Sequence, residues 1–236
     1  MENDNDIIKP AISGLPAAQK VLLIFLLLGY PLLSILFNLI GAGETVEIES
    51  RMNQVYVPTF VIHLIILVGI WIGMKKSGGG FAELGLGKKD ITASNLLSGI
   101  IFFIGAFALM IIIKSSIARS GYLPEKDFAY VLPVTFDEKL FWVMLSVSAA
   151  LFEEICFRGF IISRLKILSG NYLIGALAGS LAFSLGHLYQ GIAGVILTFI
   201  YGMLFAGLFI ARKSVFPCVV AHFLQDIIIL FVVFNI

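Results

Sequence analysis

Long apolar runs alternate along the chain with short polar segments that hold nearly all of the Lys, Arg, Asp and Glu. Most of the apolar runs reach the ~20 residues a helix needs to cross a bilayer core. They predict seven spans, over residues 18–40, 55–74, 92–113, 139–165, 172–188, 192–211 and 215–234, with room for an eighth. Backbone polar groups in lipid must find partners within their own span, so such runs are helices. The expected fold is all-α: a polytopic helical membrane protein forming a single transmembrane domain over residues 1–236.

Composition supports this pattern. Of 236 residues, 59% are hydrophobic and 13% charged, about half the charge fraction of a soluble domain. Mean hydropathy is +1.02. A net charge of +1, with no basic cluster interleaved with aromatics, gives no reason to expect nucleic-acid binding. The partner that composition implies is the lipid bilayer; oligomeric state and source stay open. Cys156 and Cys218 both lie in apolar stretches and read as buried free thiols. The opening MENDNDIIK is acidic and the first apolar run is long, unlike a cleaved signal peptide.

Loop charges give an orientation in the cell membrane. With the N-terminus cytoplasmic, the inside segments hold Lys9, Lys20, Lys75, Lys76, Lys88, Lys89, Arg164, Lys166, Arg212 and Lys213. The outside loops hold Arg51, Lys114, Arg119, Lys126 and Lys139. Ten against five follows the positive-inside rule. The acidic first loop, with Glu44, Glu47 and Glu49, is then external, as is the segment 114–138. Segment 75–90, with Gly78, Gly79 and Gly80 in a row, reads as a flexible cytoplasmic connector.

The informative residues are those a lipid-facing helix excludes. An ionisable group near mid-span costs about 2.5–3.5 kcal/mol on the insertion scale. Here these groups are Glu153, Glu154, Arg158, His187, His222 and Asp226, all on the fourth to seventh spans, with His63 as an outlier that reads as a core or cavity-lining residue. On an α-helix Glu154 and Arg158 lie four apart and within ion-pair reach. Glu153 is rotated by roughly 100° from Glu154 and roughly 140° from Arg158. Glu153 is therefore left without a partner on its own helix, as a buried general base would be. Phe183 and His187 share a face at the end of the fifth span. His222 and Asp226 share a face on the seventh, where Asp226 can fix the imidazole tautomer. Alone, each cluster also suits helix packing or capping. Together they are the parts for activating a water molecule, with or without a metal.

The three clusters resemble the CAAX protease and bacteriocin-processing family, also called the Abi or type II CAAX prenyl endopeptidase family. Its motifs are a Glu-Glu-x-x-x-Arg helix, a Phe-x-x-x-His helix and a His-x-x-x-Asn/Asp helix. This chain has Glu153, Glu154 and Arg158, then Phe183 and His187, then His222 and Asp226, in that order. The resemblance implies a catalytic core over residues 139–234, with accessory helices over 18–113 and a cytoplasmic tail over 1–17. It implies an intramembrane, metal-independent glutamate-type protease acting on a membrane peptide or protein, with no cofactor. Glu153 is then the base, His187 positions the water, and His222 with Asp226 faces the oxyanion. Glu154, Arg158 and Phe183 support that geometry. Asp226, where the well-studied prenyl proteases have Asn, acts either protonated or by orienting His222.

Other readings use the same residues. A zinc-dependent version of the protease would take Glu153, His187 and His222 as metal ligands. A bacteriocin-immunity or membrane scaffold protein would keep the fold without catalysis. A proton-coupled transporter would use the acids and histidines as a relay, but the chain shows no inverted repeat. Whether a substrate is prenylated is not legible.

Overall fold

The computed structural model describes residues 14–39, 51–119 and 131–232. Residues 1–13 of the N-terminal tail, the acidic first loop and residues 120–130 of the 114–138 segment fall outside them. The described residues are helical with no strand. Among the described residues, five helices are long and apolar enough to cross a membrane: α1 (Ala17–Leu36), α2 (Met52–Lys75), α3 (Ala93–Ile117), α4 (Phe136–Ser169) and α6 (Leu188–Arg212). Two shorter apolar helices, α5 (Tyr172–Leu185) and α7 (Phe216–Ile228), complete the seven. The chain is a polytopic helical membrane protein.

Large apolar side chains point outward all over this bundle. Leu28, Ile65, Ile101, Ile112 and Ile192 are each at least 60% exposed, as lipid-facing positions should be. The exception is α4, whose best apolar window is 56% buried against 17–33% in the other long helices. Every residue from Phe152 to Ile162 is buried. A helix covered on all sides is the core of the assembly, and α2, α5, α6 and α7 all pack on α4.

Local chemistry sets the ends of α4. Thr135 begins it with a capping box: its hydroxyl accepts from the Glu138 amide at 3.2 Å, and the Glu138 carboxylate accepts from the Thr135 amide at 2.9 Å. Gly170 ends it at φ 74°, where a left-handed residue favours glycine. Between them the helix widens to π geometry over Glu154–Ile162. The 3.6-residue wheel of the sequence reading therefore stops at Glu153, although the Glu154–Arg158 pair survives at 2.8 Å.

Helix α5 lies very close to this widened turn. A Cβ on Gly175 would fall 2.8 Å from Ile162 Cα, and one on Gly179 2.9 Å from the Phe157 carbonyl oxygen. Small residues four apart let two backbones touch, the usual solution where lipid offers no hydrophobic drive between helices.

The 75–90 connector is ordered rather than flexible. Leu84 is buried, and the carbonyl of Gly85 accepts from the Val215 amide at 2.8 Å and from Ser214 Oγ at 3.2 Å. The apolar residues after the glycines anchor the segment. The same end of the bundle holds Arg164 donating to Gln19 at 2.8 Å, Gln19 donating to Ser77 at 2.9 Å and Arg212 donating to Asn95 at 2.9 Å. Arg51, which pairs with Glu138 at 3.5 Å, belongs to the opposite end.

Candidate active site

Three elements meet at the polar cluster. The middle of α4 supplies Glu153, Glu154 and Arg158, α7 supplies His222 and Asp226, and the turn after α5 supplies His187. Helix α5 ends at Leu185, three residues earlier than its hydropathy indicates, and His187 starts a short 3-10 turn, Leu188–Gln190. The fifth span is thus shorter than its hydropathy indicates, and His187 lies beyond its end.

Glu154 is the hub. It is fully buried, and its Oε1 accepts from Arg158 Nη1 at 2.8 Å and from His222 Nδ1 at 2.7 Å. A carboxylate held by a guanidinium is an acceptor, so His222 Nδ1 carries a proton toward it. The other nitrogen, Nε2, faces Glu153 Oε2 at 3.4 Å and Asp226 Oδ2 at 3.7 Å. His222 is thereby enclosed by three acids, and its shortest contact goes to Glu154 rather than to Asp226 on its own helix. Glu154 Oε2 has no hydrogen-bond partner among the described residues.

Arg158 is sandwiched as well as paired. Its guanidinium lies 4.4 Å from the Phe183 ring centre and 5.1 Å from that of Phe205, within cation–π range. Phe205 also meets the His222 ring edge-on at 6.0 Å. Phe183 has a second task. Its carbonyl accepts from His187 Nδ1 at 2.9 Å. A carbonyl only accepts, so Nδ1 carries the proton and Nε2 of His187 presents a lone pair. The His187 ring is within electrostatic range of His222 and Asp226.

The structure thus brings Glu153, Glu154, Arg158, His222 and Asp226 into one contact network, with Phe183 stacked on it and His187 at its edge. His63 stands beside it on α2, buried, with Nδ1 3.1 Å from Ser148 Oγ and its ring stacked on Phe152 at 4.5 Å. Cys156 and Cys218 are free and buried. Among the described residues, no three His, Cys, Asp or Glu side chains are grouped so as to hold a metal ion.

Other residues at the site carry no signal of their own in the sequence. Trp142 Nε1 donates to the Asp226 carbonyl at 3.0 Å and pins that turn of α7 to α4. Tyr30 of α1 packs on Phe152 and Phe157 at 5.8 and 5.7 Å, beside Glu153. In a chain with 21 Phe and 7 Tyr, an aromatic residue in a span does not stand out.

No curated protein and no solved structure matches the chain. Residues 135–228 match the family described as type II CAAX prenyl endopeptidase, Rce1-like. The match starts at the Thr135 cap of α4, ends in the last turns of α7, and takes in the three motif helices between. The part of the chain that builds the Glu154–His222 network is thus the part that is similar to the type II CAAX prenyl endopeptidases of the Rce1-like kind.

Proposed function

We propose that the chain is an intramembrane endopeptidase that hydrolyses a peptide bond of a membrane-associated peptide or protein with water activated by Glu153. The observation that carries this reading is the asymmetry of the two acids. Glu154 is consumed by Arg158 and His222 Nδ1, whereas Glu153 reaches only the far nitrogen of the same imidazole, at 3.4 Å. One acid holds the geometry and the other is free to take a proton.

In this reaction Glu153 removes a proton from water while the water oxygen bonds to the scissile carbonyl carbon. His187 accepts from the same water through Nε2 and orients it. The carbonyl oxygen takes up the negative charge, facing the Nε2–H of a His222 imidazolium, protonated at both nitrogens between its carboxylates, and Asp226 beside it. Glu153 then gives its proton to the departing amine as the C–N bond breaks. The step is written without a metal, since Glu153 takes the proton and His187 Nε2 orients the water. In this scheme α1–α3 are accessory to the α4–α7 core.

The distribution of cations between the ends of the bundle supports the proposed orientation. The starts of α1, α3, α5 and α7 and the ends of α2, α4 and α6 share one end, which carries Lys20, Lys75, Lys76, Lys88, Lys89, Arg164, Lys166, Arg212 and Lys213. That end is cytoplasmic by the positive-inside rule, and the His187 turn then faces the opposite side.

The test uses the purified full chain in liposomes with a library of single-span and lipid-anchored peptides, prenylated and unprenylated. Glu153→Gln and His187→Ala each lower cleavage by about 10²–10⁴-fold, and EDTA leaves the wild type unchanged. Wild-type rates in both variants overturn the mechanism. Loss with EDTA that Zn²⁺ restores overturns its metal-independent form.

A further inference from the structure

The matched family stretch begins at residue 135, yet the site is not built from that stretch alone. Helix α1 changes from a π turn, Phe25–Gly29, to a regular helix at Tyr30. Tyr30 and Ser34 follow one turn apart on one face, and both touch the turn that carries His187. Ser34 Oγ donates to the Gly186 carbonyl at 2.8 Å. Gly186 is also where the Tyr30 ring comes closest: a Cβ there would lie 2.6 Å from Tyr30 Cε1. From the other side, the same ring leans on Phe152 and Phe157, the residues that flank the Glu153–Cys156 stretch of α4.

We infer that Tyr30 and Ser34 are positioning residues for the catalytic pair. Together they set the distance between the His187 turn and the Glu153 turn. After Leu185 the segment 186–190 is held by short-range bonds of its own, among them the Gln190 amide donating to the His187 carbonyl at 2.9 Å. Gly186 and His187 donate to the Ala182 and Ser184 carbonyls at 3.2 and 3.0 Å, but the peptide carbonyl that leads into His187 is held from outside, by Ser34. An aromatic wedge and a hydroxyl on the same face supply position and angle together. Helix α1 is then part of the working site and not merely a membrane anchor. The inference rests on His187 acting on the substrate water, and its test reads the ring directly.

The chain has three histidines, His63, His187 and His222, so ¹⁵N-histidine spectra of the full chain in detergent micelles are assignable with one His→Gln variant for each. In the wild type His187 shows one tautomer, protonated at Nδ1. Ser34→Ala and Tyr30→Ala convert the His187 signals to a tautomer mixture and leave those of His63 and His222 in place. Ser34→Thr and Tyr30→Phe, which keep the hydroxyl and the ring, restore the single tautomer. Unchanged His187 signals in both alanine variants overturn the inference. So does a common shift of all three histidines, or loss of the fold in both alanine variants, because either marks a general packing role. If the His187 signals respond as expected but His187→Ala still cleaves peptides at the wild-type rate, the protease mechanism fails and the positioning contact stands.

Discussion

His222 Nδ1 rests 2.7 Å from Glu154 Oε1, so an acid on α4, and not Asp226 four residues along α7, makes the closest contact of this imidazole. The same oxygen takes the Arg158 guanidinium at 2.8 Å. Histidine, acid and arginine are all buried, and removing one charge of such a pair leaves the other uncompensated. Arg158→Leu is expected to destabilise the protein by about 3–5 kcal/mol, read as an earlier unfolding transition in detergent. The double variant Glu154→Leu/Arg158→Leu recovers part of that loss, since two apolar side chains need no partners. Wild-type stability in Arg158→Leu would remove Glu154 from its place as hub.

Packing of α5 on the π turn gives a second expectation. Gly179 has no room for a side chain against the Phe157 carbonyl, whereas Gly105 on α3 has no atom within 4 Å of a built Cβ. Gly179→Ala should destabilise by about 1–3 kcal/mol through overpacking. Gly105→Ala should be neutral or stabilise by up to about 1 kcal/mol through helix propensity. Thermal melts of the two variants side by side check the contrast, and equal melting points would contradict it.

Hydropathy made the seven helices legible because lipid imposes one rule along the whole chain: apolar outside, backbone satisfied within. The cluster on α4, α5 and α7 was legible for the converse reason, since Glu153, Glu154, Arg158, His222 and Asp226 have no place facing lipid. Which acid meets which histidine was not legible. Spacing on α7 favours His222 with Asp226, but the 2.7 Å contact crosses from α7 to α4, and only the folded packing sets it. The π turn from Glu154 to Ile162 was hidden too, because apolar content alone does not distinguish a π turn from an α turn. Ser34 and Trp142 each give one hydrogen bond to a backbone carbonyl and Tyr30 packs on the Phe152 and Phe157 rings, and their residue types are common in spans.

Asp226 gives the third expectation. In the proposed reaction it faces the oxyanion, where an amide also serves, and its carbonyl is pinned by Trp142 at 3.0 Å whatever the side chain. Asp226→Asn is expected to keep cleavage within about tenfold of wild type, while Asp226→Ala loses about 10²–10³-fold, the usual cost of one oxyanion contact. Initial rates on one cleaved peptide separate them. An Asn variant as slow as the Ala variant would show that the carboxylate, and not a hydrogen-bonding group at that position, is required.

The last expectation concerns the side from which substrate arrives. The two native cysteines are fully buried, so single added cysteines report alone. Lys88 lies exposed at the cation-rich end of the bundle, and Val134, 52% exposed, lies at the end that holds Arg51. With the N-terminus cytoplasmic, a membrane-impermeant maleimide labels Val134→Cys in intact cells and labels Lys88→Cys only after permeabilisation. The reverse pattern would invert the protein in the bilayer and turn the His187 turn to the cytoplasm. The side matters chemically because His187 sits at the end of a helix, not at mid-span. In the proposed reaction water and the substrate strand reach it from whichever face that turn meets, so the labelling pattern decides whether peptides arrive from inside the cell or from outside.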